Sequence, residues 1–128
     1  MKKLKFDSNG IDLETFSPFI LRDARDTEFA DIRLEFSDWE WLRTRYGEKP
    51  YLNGDDVQGL VIAMRVINNL EPVTEGMHLN SEADTCYIHF TDYKECYETA
   101  DLSSRMIQSE KLFHKAIVLS EANEFYDL

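Results

Sequence analysis

Chemistry in this sequence would have to come from three histidines, two cysteines or pairs among the 25 acidic residues. His78, His89 and His114 include no two at the i, i+4 spacing that places ligands on one face of a zinc-binding helix, and no C-x-x-C pair accompanies them. A hairpin over residues 76–91 that turns near Glu82-Ala83 would put His78, Tyr87 and His89 on its outer face, beside Glu82 or Asp84. Such a trio is more often a solvated surface than a metal site. A cysteine nucleophile needs an exposed thiol beside an imidazole, whereas Cys86 falls on an inward strand face and Cys96 on the apolar stripe of a helix. Their number alone permits one disulfide, but these positions predict reduced core thiols. There is no G-x-S-x-G, and Ser103-Ser104 read as small polar residues in a helix. Asp55-Asp56 sit where helix capping needs them rather than in a desolvated pocket. Asn53-Gly54-Asp55 lacks the glycine run and the lysine of a phosphate loop. No residue is assigned to catalysis, metal or cofactor, so a binding protein is expected rather than an enzyme.

The residues suited to binding are acids interleaved with aromatics. Asp23, Asp26, Glu28, Asp31, Glu35, Asp38 and Glu40 are followed closely by Trp39, Trp41, Tyr46 and Tyr51. Taken singly, a carboxylate on a strand is usually just its solvated face, and a tryptophan is more often core than contact. Together they are candidate partner-binding residues, because carboxylates steer a basic partner while exposed aromatics supply desolvated anchors.

With 128 residues and 43% apolar content the chain suits one domain, residues 1–128, burying roughly two-thirds of the surface its unfolded form exposes. Lys and Arg total 14 against 25 Asp and Glu, a net charge of -11, which repels free nucleic acid and anionic membranes and attracts basic proteins. The basic start Met1-Lys2-Lys3 is followed by Asp7, Asn9 and Asp12 instead of an apolar run, so no export signal is expected. The stretch 57–67, interrupted by Gln58 and Arg65, is far shorter than the roughly 20 residues that span a bilayer. These features predict a soluble, cytoplasmic protein with reduced cysteines.

The elements that must position these groups follow from periodicity. Residues 17–24 and the alternating run 28–36, with Ala30, Ile32, Leu34 and Phe36 inward, predict an antiparallel hairpin joined by Arg25, Asp26 and Thr27. Residues 37–48 fit either a helix opened by Ser37 and Glu40 as a capping box or a third strand. The bulky Trp39, Trp41 and Tyr46 tilt the reading to strand. After Asn53-Gly54, Val57, Leu60, Val61, Met64 and Ile67 recur at helical spacing. Residues 76–80 and 84–91 predict a second hairpin with Cys86, Ile88 and Phe90 inward. Asp92 and then Ser109 cap two further helices, and residues 124–128 are expected to fray. The order strands, helix, strands, helices gives an α+β fold: a mostly antiparallel sheet with helices packed on one face. The other face is left open for docking.

Two of these segments also carry a likeness. Tyr51-Leu52-Asn53-Gly54-Asp55-Asp56-Val57-Gln58-Gly59-Leu60, and Glu82-Ala83-Asp84-Thr85-Cys86-Tyr87-Ile88-His89-Phe90 with the Lys94-Glu95 helix, resemble the immunity protein 51 family of bacterial polymorphic toxin systems. In that family an N-G-x-D segment opens the central helix, an E-A-x-x turn leads into a strand, and a terminal helix begins like Glu110-Lys111-Leu112. Ser17-Pro18-Phe19-Ile20-Leu21 is similar too, so the likeness spans most of residues 17–117. Val57 departs from it where an aromatic is expected, and residues 37–46 are the least similar.

The resemblance implies a cytoplasmic antidote that binds a cognate toxin domain and occludes its active site. Its acidic side chains would mimic a nucleic-acid substrate if that toxin is basic. An acidic, non-catalytic adaptor or DNA-mimic regulator of another protein would share the same composition. A neighbouring toxin gene separates these two. A small enzyme or ligand-binding domain would instead show a deep pocket around His78, His89 or Cys86.

Overall fold

The inward residues of four strands set the architecture. The computed structural model describes residues 2–49 and 51–128. Among these are β1 (Ile11–Asp12), β2 (Ile20–Ala24), β3 (Asp31–Phe36), α1 (Trp39–Tyr46), α2 (Gly54–Ile67), β4 (Met77–Leu79), β5 (Cys86–Phe90), α3 (Tyr93–Gln108) and α4 (Glu110–Asn123). A 3-10 turn, Phe125–Asp127, follows. The strands form one sheet in the order β1-β2-β3-β5-β4, and every neighbouring pair is antiparallel. The protein is therefore α+β, as the patterning predicts.

Register explains which face is covered. Leu21 pairs with Leu34, Ile32 with Phe90, Leu34 with Ile88, and Phe36 with Cys86. All of these are buried, together with Met77 opposite Phe90. Each fully buried Leu, Ile or Phe contributes roughly 1.5–3 kcal/mol. α2 and α3 lie against this inner face, and α4 packs on both of them. The other face carries Arg22, Asp31, Arg33, Glu35, His78, Tyr87 and His89, the alternate residues of the same strands. Among the described residues no helix is long and apolar enough to cross a membrane.

The starts predicted for α2, α3 and α4 hold, although the cap of α2 is Asn53 rather than the Asp55-Asp56 pair. Asn53 accepts from the Asp56 amide and Asp56 from the Asn53 amide, both at 2.9 Å, closing a capping box. Asp92 and Ser109 cap α3 and α4. Cys86 and Cys96 are buried free thiols.

Four expectations need correction. Residues 39–46 are helix, not strand. Asp38, not Ser37, accepts from the Trp41 amide at 3.1 Å, and Arg43 and Arg45 favour the C-terminal end of the helix dipole. The bulky rings that suggested a strand pack equally well from a helix: Trp39 meets Phe36 edge-on at 5.1 Å, and Tyr46 stacks on Phe113 at 4.1 Å. Ala30 is not inward. Its φ of 49° places it in the exposed connection before β3 begins. β1, which pairs only Ile11 with Arg22 and Asp12 with Leu21, is too short to show as a pattern. Within residues 124–128, expected to fray, Phe125–Asp127 form a 3-10 turn that docks on α2 at Gly59, where a Cβ would lie 2.8 Å from the Tyr126 nitrogen.

Candidate functional site

The turn between β4 and β5 is the hub of the site. Glu82 and Thr85 exchange backbone hydrogen bonds of 2.9 and 3.3 Å, leaving Ala83 and Asp84 as a two-residue loop. Two other elements pin this loop. The Gly54 amide, one of the unsatisfied donors at the start of α2, donates to the Ala83 carbonyl at 3.0 Å. The Trp39 indole N–H of α1 donates to the Asp84 carbonyl at 2.8 Å. The Asn53-Gly54 sequence thus does two jobs: Asn53 caps the helix, and Gly54 lets the turn lie on it.

A pocket opens on each side of the turn. The larger is a cleft of about 720 Å³ between α1 and residues 47–49 and 51–52. Its apolar lining is Trp39, Leu42, Tyr51, Leu52 and Ala83, and its charged lining is Arg43, Glu48, Lys49 and Asp84. Leu42 is buried, Trp39 and Leu52 are half-buried, and Tyr51 is 84% exposed. A concave apolar surface with Trp, Tyr and Arg beside it has the composition of a protein-binding hot spot.

The smaller pocket, about 400 Å³, lies on the open sheet face and is lined by Phe29, Arg33, Asn80, Glu82, Thr85, Tyr87 and His89. Beneath it runs a network of ion pairs. Arg22 and Arg33 face each other in register, a repulsive arrangement that neighbouring carboxylates offset. Arg22 forms a two-pronged pair with Glu35 at 2.9 and 3.3 Å. Asp31 accepts from the Arg33 Nε at 3.0 Å through one oxygen and meets the His89 Nδ1 at 2.7 Å through the other. The Arg33 Nη1 reaches the Tyr87 hydroxyl at 3.4 Å, and Phe29 lies over the guanidinium at 5.1 Å. The bond to Glu35 holds Arg22 above its ordinary pKa. Burial, aided by Glu35, pushes the Tyr87 hydroxyl up. Burial opposes the charge of Arg33, but the bonds to Tyr87 and Asp31 outweigh it. Both cations therefore have partners that favour their charged form. The His89 Nε2 is buried without a hydrogen-bond partner.

The acid and aromatic residues singled out by sequence separate into groups. Trp39 and Tyr51 come together in the larger cleft. Asp31 and Glu35 are only 7% and 6% exposed, and both serve the ion-pair network beneath the smaller pocket. Asp23 pairs with Arg25 at 2.6 Å, and Asp38 caps α1. Asp26 and Glu28 are exposed on the β2–β3 connection, and Glu40 is exposed on α1. Trp41 is half-buried beneath Arg45. The Tyr46 hydroxyl donates to the Ile107 carbonyl at 2.7 Å, so that residue ties α1 to the end of α3. Phe29, Arg33 and Asn80 line this pocket although nothing in their local sequence marks them as site residues. The alternation of β5 put Tyr87 and His89 on the outer face, and the cross-strand pairing of Arg33 with His89 is the link that local sequence cannot supply.

Among the described residues no group of three or more His, Cys, Asp or Glu side chains could hold a metal ion. No family model matches the chain, and neither a curated protein nor a solved structure matches it.

Proposed function

We propose that this chain is an immunity protein, which binds a cognate toxin domain in the cytoplasm of the cell that makes it and blocks the toxin's active site. The observation that carries the reading is the apolar cleft beside the 82–85 turn, with Trp39 forming one wall and Tyr51 84% exposed. An exposed aromatic next to a concave apolar surface is an anchor ready to be desolvated by a partner. The net charge of -11 supports a basic partner and fast, salt-sensitive association. The segments that resemble the immunity family, 51–60 and 82–90, are the ones that meet at the turn, where Gly54 contacts Ala83.

The test is co-expression of the tagged chain with the product of the neighbouring upstream gene, followed by purification at low and high salt. A stoichiometric complex with a toxin domain, together with rescued growth, is the expected result. Weakening at high salt would support steering by the acidic surface. A harmless neighbouring product and no recovered complex would defeat the proposal.

A further inference from the structure

Resting on the reading that the chain binds a basic protein, we infer that the sheet-face pocket is a receptor for an arginine side chain of that partner. The pocket already holds one guanidinium, but Arg33 is matched by Asp31 and bonded to Tyr87. With that pair neutral, the charge left in the lining is that of Glu82, which enters no ion pair among the described residues. Asp26 and Glu28, on the connection that carries Phe29, are also exposed and outside any such pair. The local field therefore favours a cation, and the net charge of -11 turns phosphate-bearing ligands away.

The hydrogen-bonding groups point the same way. The His89 Nδ1 lies 2.7 Å from Asp31, and in the neutral tautomer that donates to this carboxylate Nε2 is left as an acceptor. That Nε2 has no partner and is covered by neighbouring side chains. Glu82 is an acceptor too. A ligand rich in N–H donors suits both acceptors, and Phe29 and Tyr87 line the same pocket as aromatic surfaces for a planar one. Phe29 already lies over the guanidinium of Arg33 at 5.1 Å, so the geometry of cation on ring is present in this pocket. Phe29 itself is 62% exposed, so its ring is available to a second cation. Arginine meets these demands better than lysine, whose ammonium is compact, strongly hydrated and not planar.

The experiment titrates the full chain with Gly-Arg-Gly amide, Gly-Lys-Gly amide and Gly-citrulline-Gly amide while following the ring signals of His89, Tyr87 and Phe29 by NMR. The arginine peptide should move these signals saturably, and bind at least about threefold more tightly than the lysine peptide. Citrulline, of the same shape without the charge, should produce no saturable shift. Glu82→Gln should weaken the arginine peptide about fivefold or more, with the backbone spectrum unchanged away from the turn. Absence of saturation, equal binding of citrulline, indifference to Glu82→Gln, or shifts confined to other residues would each overturn the assignment. Saturation by the nucleoside adenosine instead would also overturn it, and would make the pocket a base-binding site. A toxin complex that forms while the peptide fails would reject the arginine pocket alone. Peptide binding without any toxin complex would reject the immunity reading alone.

Discussion

Gly54 and Glu82 lie so close that a Cβ on Gly54 would sit 1.9 Å from the Glu82 carbonyl oxygen. The first residue of α2 and the hairpin turn thus occupy almost the same space, and only hydrogen fits between them. Gly54→Ala should push the turn away, break the Gly54 bond to Ala83, and lower stability by about 1–3 kcal/mol. A urea midpoint equal to that of the parent would show that the turn can relocate freely.

Tyr51 and Trp39 should behave differently although they line one cleft. Tyr51→Ala removes a ring that is 84% exposed, so stability should change by less than about 0.5 kcal/mol. Affinity for the toxin domain should fall by about 2 kcal/mol, roughly 30-fold, if this ring is an anchor. Trp39→Phe keeps a ring against Phe36 but loses the bond to the Asp84 carbonyl, costing about 1 kcal/mol of folding stability. Calorimetry of binding and thermal melts on the same samples separate the two effects.

Tyr46 should act on folding alone. Tyr46→Phe preserves the stack on Phe113 and removes the bond to the Ile107 carbonyl, a loss of about 1 kcal/mol. Tyr46→Ala removes both and should cost about 3 kcal/mol. Partner affinity measured well below the melting temperature should stay at the parent value. A tenfold loss there would return Tyr46 to the interface.

The two thiols should be inert in the folded chain. Burial pushes the Cys86 thiol up to about 12, against a small opposing bond from Ser81, and burial raises Cys96 as well. Ellman's reagent at neutral pH should find no fast-reacting thiol in the native protein and two after denaturation. Stoichiometric reaction of the native chain would expose an opening that the packing does not allow for.

Acid should remove a specific contribution from Asp12. Burial pushes its carboxyl up, but the Thr15 hydroxyl and the amides of Thr15, Lys5 and Glu14 pull it further down, so its pKa falls below the ordinary 3.8. A group depressed in the folded state stabilises the fold above its unfolded pKa, and that stability is lost as the pH drops through the folded value. Asp12→Asn should be less stable than the parent by about 1–2 kcal/mol at neutral pH. The difference should shrink as the pH falls below the ordinary 3.8, which denaturant titrations at stepped pH will reveal.

Local signals carried most of the fold. Asp55-Asp56 after Asn53-Gly54, then Asp92 and Ser109, announced three helix starts, and the alternation of Cys86, Ile88 and Phe90 announced the inner face of β5. α1 was harder, because Trp39 and Tyr46 favour strands intrinsically while Phe36 and Phe113, distant or outside the element, decide their packing. The site was legible only in part. Trp39 and Tyr51 stood out by type, whereas Asp31 and Glu35 looked like solvated strand carboxylates. Arg33 reaches Asp31 from two residues along the same strand, but Arg22 reaches Glu35 and His89 reaches Asp31 only through cross-strand pairing that no short sequence window contains.

The sheet with this open face ends in β1 and β4, strands of two and three residues. Edges that short offer almost no unpaired backbone for another copy to extend. The sheet therefore offers a second copy little edge to pair with, while its broad outer face stays available to a different partner.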